Sequence, residues 1–399
     1  MIRVAGGVTA AAGFSACGVS CGIKRRGKDL ALIFSDRPAT AAGTLTQNGL
    51  RAPCVDWAEK LLKKGTAQAI LANSGNANCC TGRRGIRDTE GMAALAAKRL
   101  GIPSGRVFVA STGIIGRFLP MDRVKEGIGK AAQQLSRTGS RTAAEAMMTT
   151  DTRPKEMAVR FKIGGRFVTV GGIAKGSGMV FPQMATMLAF LTTDARVERS
   201  PLASAIRIAV ADSFNAITID GETSTNDMVL ILANGASGSP LIRKGTSSYA
   251  SFLNAVREVS RHLAHEIVRD GEGVTRLMTI KVVGASTRER AVQVARQIAN
   301  SALVKTMVAG RDPNWGRVAA AVGASGAPVV PNRLTIQLGK VVVFRRGEPT
   351  RPDHKTVLEQ VDQPEVNIGV DLGAGRAKAE LLSGDLTEGY VRINAKYTT

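Results

Sequence analysis

The chain has 399 residues, 44% hydrophobic and 22% charged, which is typical of a globular protein with one large or two medium domains. No stretch approaches the roughly 18 uninterrupted apolar residues of a membrane span. The glycine-interrupted start also lacks the basic and apolar regions of a signal peptide, so a cytoplasmic enzyme is expected. The net charge of +22 invites nucleic-acid binding, but the basic residues are dispersed and only 4% of residues are aromatic, which favours a surface that attracts small anions.

The first half of the chain contains short apolar runs and one amphipathic segment. Buried strands are predicted over residues 29–34, 69–72 and 107–110, and a helix over residues 89–100. Two further runs, 159–163 and 166–170, flank Gly164 and Gly165 and predict a hairpin.

The second half alternates helical and strand patterns. Ser200 followed by Pro201 predicts a helix start with serine as N-cap. Ser286 and Glu289 form a predicted capping box for a helix that ends near Asn300. A long amphipathic helix is predicted over residues 252–267, strands over 228–232, 334–338, 340–344 and 366–372, and a surface loop over 345–353. The alternation predicts a mixed α/β fold (α+β, with mixed sheets) rather than a simple doubly wound sheet.

Cysteine and histidine usage argues against several kinds of site. Five cysteines are an odd number for a disulfide framework, and no histidine lies near them in sequence to complete a zinc site. They are predicted to be reduced and structural, with no metal bound. The histidines are His262, His265 and His354, and the first two lie on a charged helix, so a histidine-based triad or metal hydrolase is not favoured.

One junction offers a nucleophile that needs no histidine. Lys175 begins a glycine-rich segment that leads to Ala185 and Thr186, and an apolar run follows at once. A cut before Thr186 would give that threonine a free α-amine beside its own hydroxyl, so that base and nucleophile share one residue. The unperturbed pKa of such an amine is roughly 8, which suits general base catalysis. Taken alone, Thr186 is better explained as a β-branched residue at the start of a strand than as a nucleophile.

Several polar segments could complete a site around Thr186. Residues 110–116 form a small, glycine-containing turn after a predicted strand, and such a turn can aim a backbone N–H and a threonine hydroxyl at an oxyanion. An asparagine-rich turn at 73–78 and a polar loop at 220–227 also adjoin predicted strands. Glu272 follows a helix, where it is either part of a C-cap or a partner for a substrate ammonium group.

In order along nearly the whole chain, these segments resemble the ornithine acetyltransferase family, the bifunctional glutamate N-acetyltransferases of arginine biosynthesis. The matching segments are NSGNAN (73–78), ASTG (110–113), MTTDT (148–152), KGSG (175–178), ATMLAFLTTD (185–194), DGETSTND (220–227), DGEG (270–273), RDPNWGR (311–317) and YVRINA (390–395). Their combination is highly specific.

The resemblance implies self-cleavage between Ala185 and Thr186. It would give an α chain of residues 1–185 and a β chain of 186–399 that together form one folded unit, with a layered sandwich core and a second, smaller α/β lobe. Thr186 would take acetyl from N-acetylornithine as an ester and pass it to glutamate, with no metal or organic cofactor. Some members also use acetyl-CoA as acetyl donor, and the sequence does not decide whether this chain does. The family suggests paired α/β heterodimers, a heterotetramer, with no nucleic-acid or membrane partner.

The resemblance also implies roles for individual residues. Thr112 and Gly113 would form the oxyanion hole. Substrate-binding positions would be Thr149, Lys175, Thr186, Glu272, Asn394 and Thr399. Lys175 suits a substrate carboxylate, Glu272 suits the amino end of ornithine, and the C-terminal residues would fold back over the site.

The chain departs from the family pattern at four positions. Glu222 stands where aspartate is usual, and Arg117 at a position that is often acidic. Lys396 and Thr398 stand where aspartate and arginine are usual. Two alternatives stay open: a related self-cleaving amidase or aminopeptidase with water as acceptor, and a basic nucleic-acid-binding protein.

Overall fold

A computed structural model of the protein describes residues 1–181 and 187–396. The predicted cleavage residues Ala185 and Thr186 and the predicted substrate-binding residue Thr399 lie outside the described residues. The chain divides into two compact units, a larger one of Met1–Asn215 and Glu222–Ile267 and a smaller one of Ala216–Gly221 and the chain from Val268 onward.

Strands and helices alternate along the described chain. The strands are β1 (Ile2–Val4), β2 (Phe14–Val19), β3 (Leu30–Leu45), β4 (Thr66–Asn76), β5 (Val107–Ile114), β6 (Lys155–Ile163), β7 (Arg166–Lys175), β8 (Leu188–Thr193), β9 (Ile217–Thr218), β10 (Met228–Ala233), β11 (Leu277–Ala285), β12 (Thr335–Leu338), β13 (Val341–Arg345), β14 (Glu348–Pro349), β15 (Glu365–Asp371) and β16 (Ala377–Gly384). The helices are α1 (Pro53–Lys64), α2 (Gly82–Leu100), α3 (Met121–Gln133), α4 (Ser140–Met147), α5 (Arg199–Ala211), α6 (Ser247–Arg269), α7 (Arg288–Asn300), α8 (Ala302–Ala309), α9 (Gly316–Gly323), α10 (His354–Val361) and α11 (Glu388–Lys396).

The larger unit is built on a mixed nine-stranded sheet. Its strand order is β1-β6-β7-β8-β10-β3-β4-β5, with β2 also paired to β3. The pairs β8·β10 and β4·β5 are parallel, and the other neighbours are antiparallel. Buried residues of α1 to α4 pack with those of β2 to β5, β7, β8 and β10 in one apolar core. The parallel pair β4·β5 carries the predicted site residues Thr112 and Gly113 near the end of β5.

Strand β3 is the longest strand of this sheet and serves two sets of neighbours. Its first part pairs with β2, from Val19 opposite Leu30 to Phe14 opposite Ser35, and with β4. The pairing with β4 is irregular between Phe34 and Ala39. Beyond this irregularity β3 pairs with β10, so one continuous strand joins the two halves of the sheet.

Most predicted elements of the larger unit are present, with two differences. The predicted hairpin is confirmed, because β6 and β7 pair in register across Gly164 and Gly165. Helix α5 begins at Arg199, not at Pro201, since the Leu202 amide already donates to the Glu198 carbonyl at 3.1 Å. Residues 110–116 and 73–78, predicted as turns, are mainly continuations of strands β5 and β4.

The smaller unit has a mixed seven-stranded sheet in the order β14-β13-β12-β15-β11-β16-β9. Helices α7 to α10 contribute buried residues to its separate apolar core. The N-cap of α7 is Thr287 rather than the predicted Ser286, because the Thr287 hydroxyl accepts from the Arg290 amide. The predicted loop at 345–353 contains the short strand β14.

The two mixed sheets and the smaller second unit confirm the expected mixed α/β class with a smaller α/β lobe. No helix in the described part of the chain is long and apolar enough to cross a bilayer.

Candidate active site

Three predicted site residues meet in the larger unit. Lys175, the last residue of β7, is only 2% exposed. Its ammonium group donates to the Thr149 hydroxyl at 2.8 Å and to the Thr112 hydroxyl at 3.4 Å. Thr112 lies near the end of β5 and Thr149 follows α4, so the fold joins three distant segments around one buried cation.

A buried carboxylate balances this cation. Asp151 accepts hydrogen bonds at 2.7 Å from both the Lys155 ammonium and the Gly176 amide, and at 3.0 Å from the Thr149 amide. Burial alone would raise the pKa of Asp151, but the charges of Lys175 and Lys155 and these hydrogen bonds lower it to about 2. Asp151 therefore stays ionised and holds Thr149 in place against Lys175.

The depressed pKa of Asp151 predicts a loss of stability in acid. A carboxyl whose pKa falls on folding stabilises the fold above its unfolded pKa, and this contribution disappears as pH falls toward its folded pKa. The shift from 3.8 to about 2 corresponds to about 2 kcal/mol, lost between roughly pH 4 and pH 2. Urea unfolding across this range should show the loss in the wild type and a smaller loss in an Asp151→Asn/Lys155→Met double variant, which removes the buried pair together. An equal acid dependence in both proteins would contradict the assignment.

The predicted oxyanion residue Gly113 occupies a position that requires glycine. It has φ +129°, and it lies opposite Gly75 where β5 pairs with β4. A Cβ atom at Gly113 would lie 2.4 Å from the Gly75 carbonyl carbon and 2.5 Å from the Asn76 nitrogen. The backbone beside Thr112 is thus open to close approach only because residue 113 has no side chain.

Gly113→Ala is expected to lower the free energy of unfolding by roughly 3 kcal/mol or more, because backbone strain and a backbone clash add together. Gly116→Ala is a matched control, since Gly116 also has a positive φ of +80° but nothing within 4 Å of an added Cβ. The control should cost only roughly 1 kcal/mol. Denaturant unfolding of both variants checks this, and equal costs would show that the close packing at Gly113 is unimportant.

Buried asparagines fix the ends of β4 and β5. The Asn226 amide group donates to the carbonyls of Ala77 at 2.7 Å and Ser111 at 2.8 Å. The Ser111 hydroxyl donates to Asn73 at 2.7 Å, and the Asn73 amide group donates to the Asn76 carbonyl at 2.8 Å. These contacts hold the strand ends beside Thr112 and Gly113.

The remaining described site residues lie together in the smaller unit. The Asn394 amide group donates to the Glu272 carboxylate at 2.7 Å and to the Tyr390 carbonyl at 3.1 Å. The Tyr390 hydroxyl in turn donates to Asp220 at 3.3 Å. Glu272 and Asn394 are therefore direct partners, as residues of a common binding site would be.

Comparison with known proteins places the chain in a family. A model of the ArgJ family matches residues 15–399. The chain belongs to the ArgJ family. The arginine biosynthesis bifunctional protein ArgJ of Symbiobacterium thermophilum is 50% identical over 99% of both chains. That of Oceanobacillus iheyensis is 45% identical over 99% of this chain and 97% of its own. Ornithine acetyltransferase from Mycobacterium tuberculosis, solved in complex with ornithine, is 39% identical, covers 46% of this chain and 96% of that one, and superposes with a TM-score of 0.43.

In this ArgJ-family chain, Asp227 contacts the residue after the predicted junction, and the sequence did not single it out from the polar loop at 220–227. One carboxyl oxygen of Asp227 accepts from the Met187 amide at 2.9 Å. Its other oxygen is buried and has no hydrogen-bond partner among the described residues. Burial raises the pKa of Asp227 well above its usual range, against the lowering effects of the Met187 amide, of the nearby Ser224 hydroxyl and of the Lys175 charge. Asp227 thus binds the backbone of Met187, the residue that directly follows Thr186.

The positions that depart from the family pattern lie at the surface where they are described. Arg117, Glu222 and Lys396 are all exposed, and Thr398 lies outside the described residues. All five cysteines are free, and no group of His, Cys, Asp or Glu side chains in residues 1–181 and 187–396 could hold a metal ion.

Proposed function

We propose that this ArgJ-family chain is a self-cleaving acetyltransferase that moves acetyl from N-acetylornithine to glutamate through an ester on Thr186. The main support is the buried cluster in which Lys175 contacts Thr112 and Thr149, next to the glycine backbone at 113. Full-length relatives described as bifunctional proteins of arginine biosynthesis support the same assignment.

The proposed chemistry proceeds in two balanced steps. The α-amine of Thr186 takes the proton of its own hydroxyl, directly or through one water, while the oxygen attacks the acetyl carbon. The acetyl–oxygen bond forms, the amide C–N bond breaks, and ornithine leaves with the proton. The amine of glutamate then attacks the ester carbon, the new amide C–N bond forms and the ester C–O bond breaks. The proton lost by the glutamate amine passes through the Thr186 α-amine to the Thr186 oxygen, which regains its hydroxyl. Amide, ester and amide follow one another, so neither an oxidant nor a cofactor is needed.

The described residues would supply charge stabilisation in both steps. The Thr112 hydroxyl and the Gly113 amide are proposed to donate to the oxyanion of each tetrahedral intermediate. Lys175, fixed by Thr149 and balanced by Asp151, adds a positive charge in a water-poor site, where electrostatic interactions are strong. In the smaller unit, Glu272 with Asn394 is proposed to receive the ammonium end of ornithine.

Asp227 is proposed to position the nucleophile. Only the Cα and the carbonyl carbon of Thr186 separate its nitrogen from the Met187 nitrogen that Asp227 holds. A carboxyl oxygen that accepts an N–H of the Thr186 amine would leave the amine lone pair directed at the hydroxyl proton. This is the role that an orienting group plays for a catalytic base.

The proposed cut would give chains 1–185 and 186–399 that remain together. Strand β7 precedes the junction and β8 follows it, and the two pair along six residues from Val170 opposite Thr193 to Lys175 opposite Leu188. Strand β10 likewise pairs with β3. These shared sheet contacts support association of the fragments, and we extend the proposal to a cytoplasmic heterotetramer of two such pairs. Acetyl-CoA is proposed as a second donor, since a thioester would acetylate the same hydroxyl and the relatives are called bifunctional.

Product analysis tests the proposal directly. The protein is incubated with N-acetylornithine, with and without glutamate, and ornithine, N-acetylglutamate and acetate are quantified. Glutamate should accelerate ornithine release and appear as N-acetylglutamate. Acetate release that glutamate does not affect would instead identify an amidase with water as acceptor. Salt-sensitive DNA or RNA binding that survives Thr186→Ala would point to the nucleic-acid alternative.

A further inference from the structure

The loop between β2 and β3 is organised around one buried carboxylate. Asp29 is fully buried, and it accepts from the backbone amides of Cys21 at 2.6 Å, Gly22 at 3.0 Å and Lys24 at 3.0 Å. Three hydrogen bonds to one side chain fix the backbone of this loop. The fixed loop backbone therefore sets the direction in which the Lys24 side chain extends.

Lys24 reaches the strand ends that carry the proposed oxyanion residues. An added Cβ at Gly75 would lie 2.7 Å from Cγ of Lys24, so the lysine stem packs directly over that glycine. Gly75 is the residue opposite Gly113 in the β4·β5 register. The Lys24 ammonium then donates to the Met148 carbonyl at 2.9 Å, one residue before Thr149.

A cavity of about 460 Å³ lies beside this ammonium group, and its lining includes Lys24, Lys28 and Thr149. The two acidic side chains that also line it are already engaged. Glu145 pairs with Lys28 at 2.7 Å, and Asp151 pairs with Lys155 at 2.7 Å. The cavity thus adjoins a proposed substrate-binding threonine, and its carboxylates are neutralised.

Lys24 is a half-buried cation with no carboxylate within ion-pair distance among the described residues. Burial lowers the pKa of Lys24, and the Lys175 charge adds to this effect, while Asp29 and Asp151 oppose it. An anion bound in the cavity would restore the stability of the charged form. Both the charge and the space therefore favour an anionic ligand.

The two proposed substrates differ most at their far ends. In a two-step transfer, ornithine leaves and glutamate enters at the same acetyl carbon, but ornithine ends in an ammonium group and glutamate in a carboxylate. A carboxylate of the protein that attracts the ammonium end of ornithine would repel the side-chain carboxylate of glutamate. Recognition of glutamate therefore needs a separate cation. We propose that Lys24 binds the side-chain carboxylate of the acceptor in this cavity and so selects an acidic amino acid for the second step. This inference rests on the proposed function.

Separating the two half-reactions tests the role of Lys24. Lys24→Met keeps the stem over Gly75 and removes the charge. Acetylation of the enzyme by N-acetylornithine alone should stay within threefold of wild type, as an estimate for a residue outside that step. Deacetylation by glutamate should lose roughly 10- to 100-fold in kcat/KM, which corresponds to a lost charge-assisted hydrogen bond. Glutamine, a neutral acceptor of similar shape, should be affected little, so the preference for glutamate over glutamine should collapse.

The matched control is Lys28→Met, which removes a cation from the same cavity that is already paired with Glu145. If Lys28→Met lost as much activity with glutamate as Lys24→Met does, general attraction of anions would explain the effect and the assignment would be overturned. An unchanged glutamate step in Lys24→Met, or equal losses in its two half-reactions, would also overturn the assignment. Should Lys24→Met misfold, as judged by near-UV circular dichroism, Lys24→Gln is measured instead against the same outcomes. Failure of the wild type to become acetylated would defeat the proposed function itself, which is a different result.

Discussion

Thr186→Ala is expected to leave the chain in one piece and to abolish acetyl transfer. The variant lacks the hydroxyl that attacks in self-cleavage and in the first transfer step and that carries the acetyl group into the second, and no histidine is available as a substitute base in the proposed mechanism. Denaturing electrophoresis should show one band near the 41.9 kDa of the whole chain, where the wild type gives two fragments. Ornithine release should fall to the background rate.

Thr186→Ser provides the control for this substitution, because serine keeps both an α-amine after cleavage and a hydroxyl. It should still divide into two fragments and transfer acetyl, at reduced rates. A Thr186→Ala protein that cleaved normally or retained transfer would place the nucleophile elsewhere.

Asp227→Asn is expected to slow both cleavage and transfer by roughly 100-fold or more, because the Thr186 nitrogen, the proposed base after cleavage, would lose the group that orients it. Asparagine can keep its oxygen on the Met187 amide, but its NH₂ group then replaces the oxygen proposed to receive the Thr186 amine. The asparagine NH₂ group and the N–H of the Thr186 amine would then both be donors and could not bond to each other. The amine would lose the orientation that directs its lone pair at the hydroxyl proton. Activity is normalised to the cleaved fraction, measured by intact mass, so that the two effects are separated.

The same variant should change how stability depends on pH. A carboxyl whose pKa is raised on folding contributes stability that is present below its unfolded pKa and is lost as pH rises toward its folded pKa. Asp227 has such a raised pKa, and asparagine does not titrate. The difference in unfolding free energy should therefore shift in favour of Asp227→Asn as pH rises above the ordinary pKa of an aspartate.

Asp194→Asn is a suitable control for Asp227→Asn. Asp194 is also a largely buried carboxyl of the larger unit whose pKa burial raises, but it accepts from Thr169 and Ala12 amides outside the Lys175 cluster. Its replacement should leave cleavage and transfer within about threefold, as an estimate for a group that makes no proposed contact with substrate. Equal losses in the two variants would reduce the role of Asp227 to general stability.

Local sequence pattern predicted the fold class and most elements well. The β6–β7 hairpin follows from two apolar runs around paired glycines, which is information contained within twelve residues. The start of α5 was wrong by two residues, because Ser200 and Pro201 fit a helix start although Glu198 is the N-cap. Such boundaries depend on a single hydrogen bond that the pattern does not encode.

The candidate site is predicted mainly by family resemblance, which pointed to Thr112, Thr149 and Lys175, and the structure places both threonines against Lys175. The roles of Asn226, Asp227 and Lys24 were not predictable in this way. Asn226 donates to Ala77 across 149 positions of sequence, and Asp227 accepts from Met187 across 40. These contacts join residues that are far apart in the sequence, so no local periodicity predicts them.

The larger unit spans the proposed cleavage junction in sequence, so the division into α and β chains would not coincide with the division into compact units. This follows from the sheet, since strands on both sides of the junction pair with each other. The division at Ala185 and Thr186 therefore stays a prediction that fragment analysis must test.

Intact mass spectrometry of the wild type after brief incubation with N-acetylornithine, quenched in acid, tests the central proposal most directly. We predict two fragments that meet between Ala185 and Thr186, with one acetyl group on the terminal Thr186 of the second fragment, which disappears when glutamate is added before the quench. An active protein that remains a single chain, or one that carries the acetyl group on any other residue, would contradict the proposal.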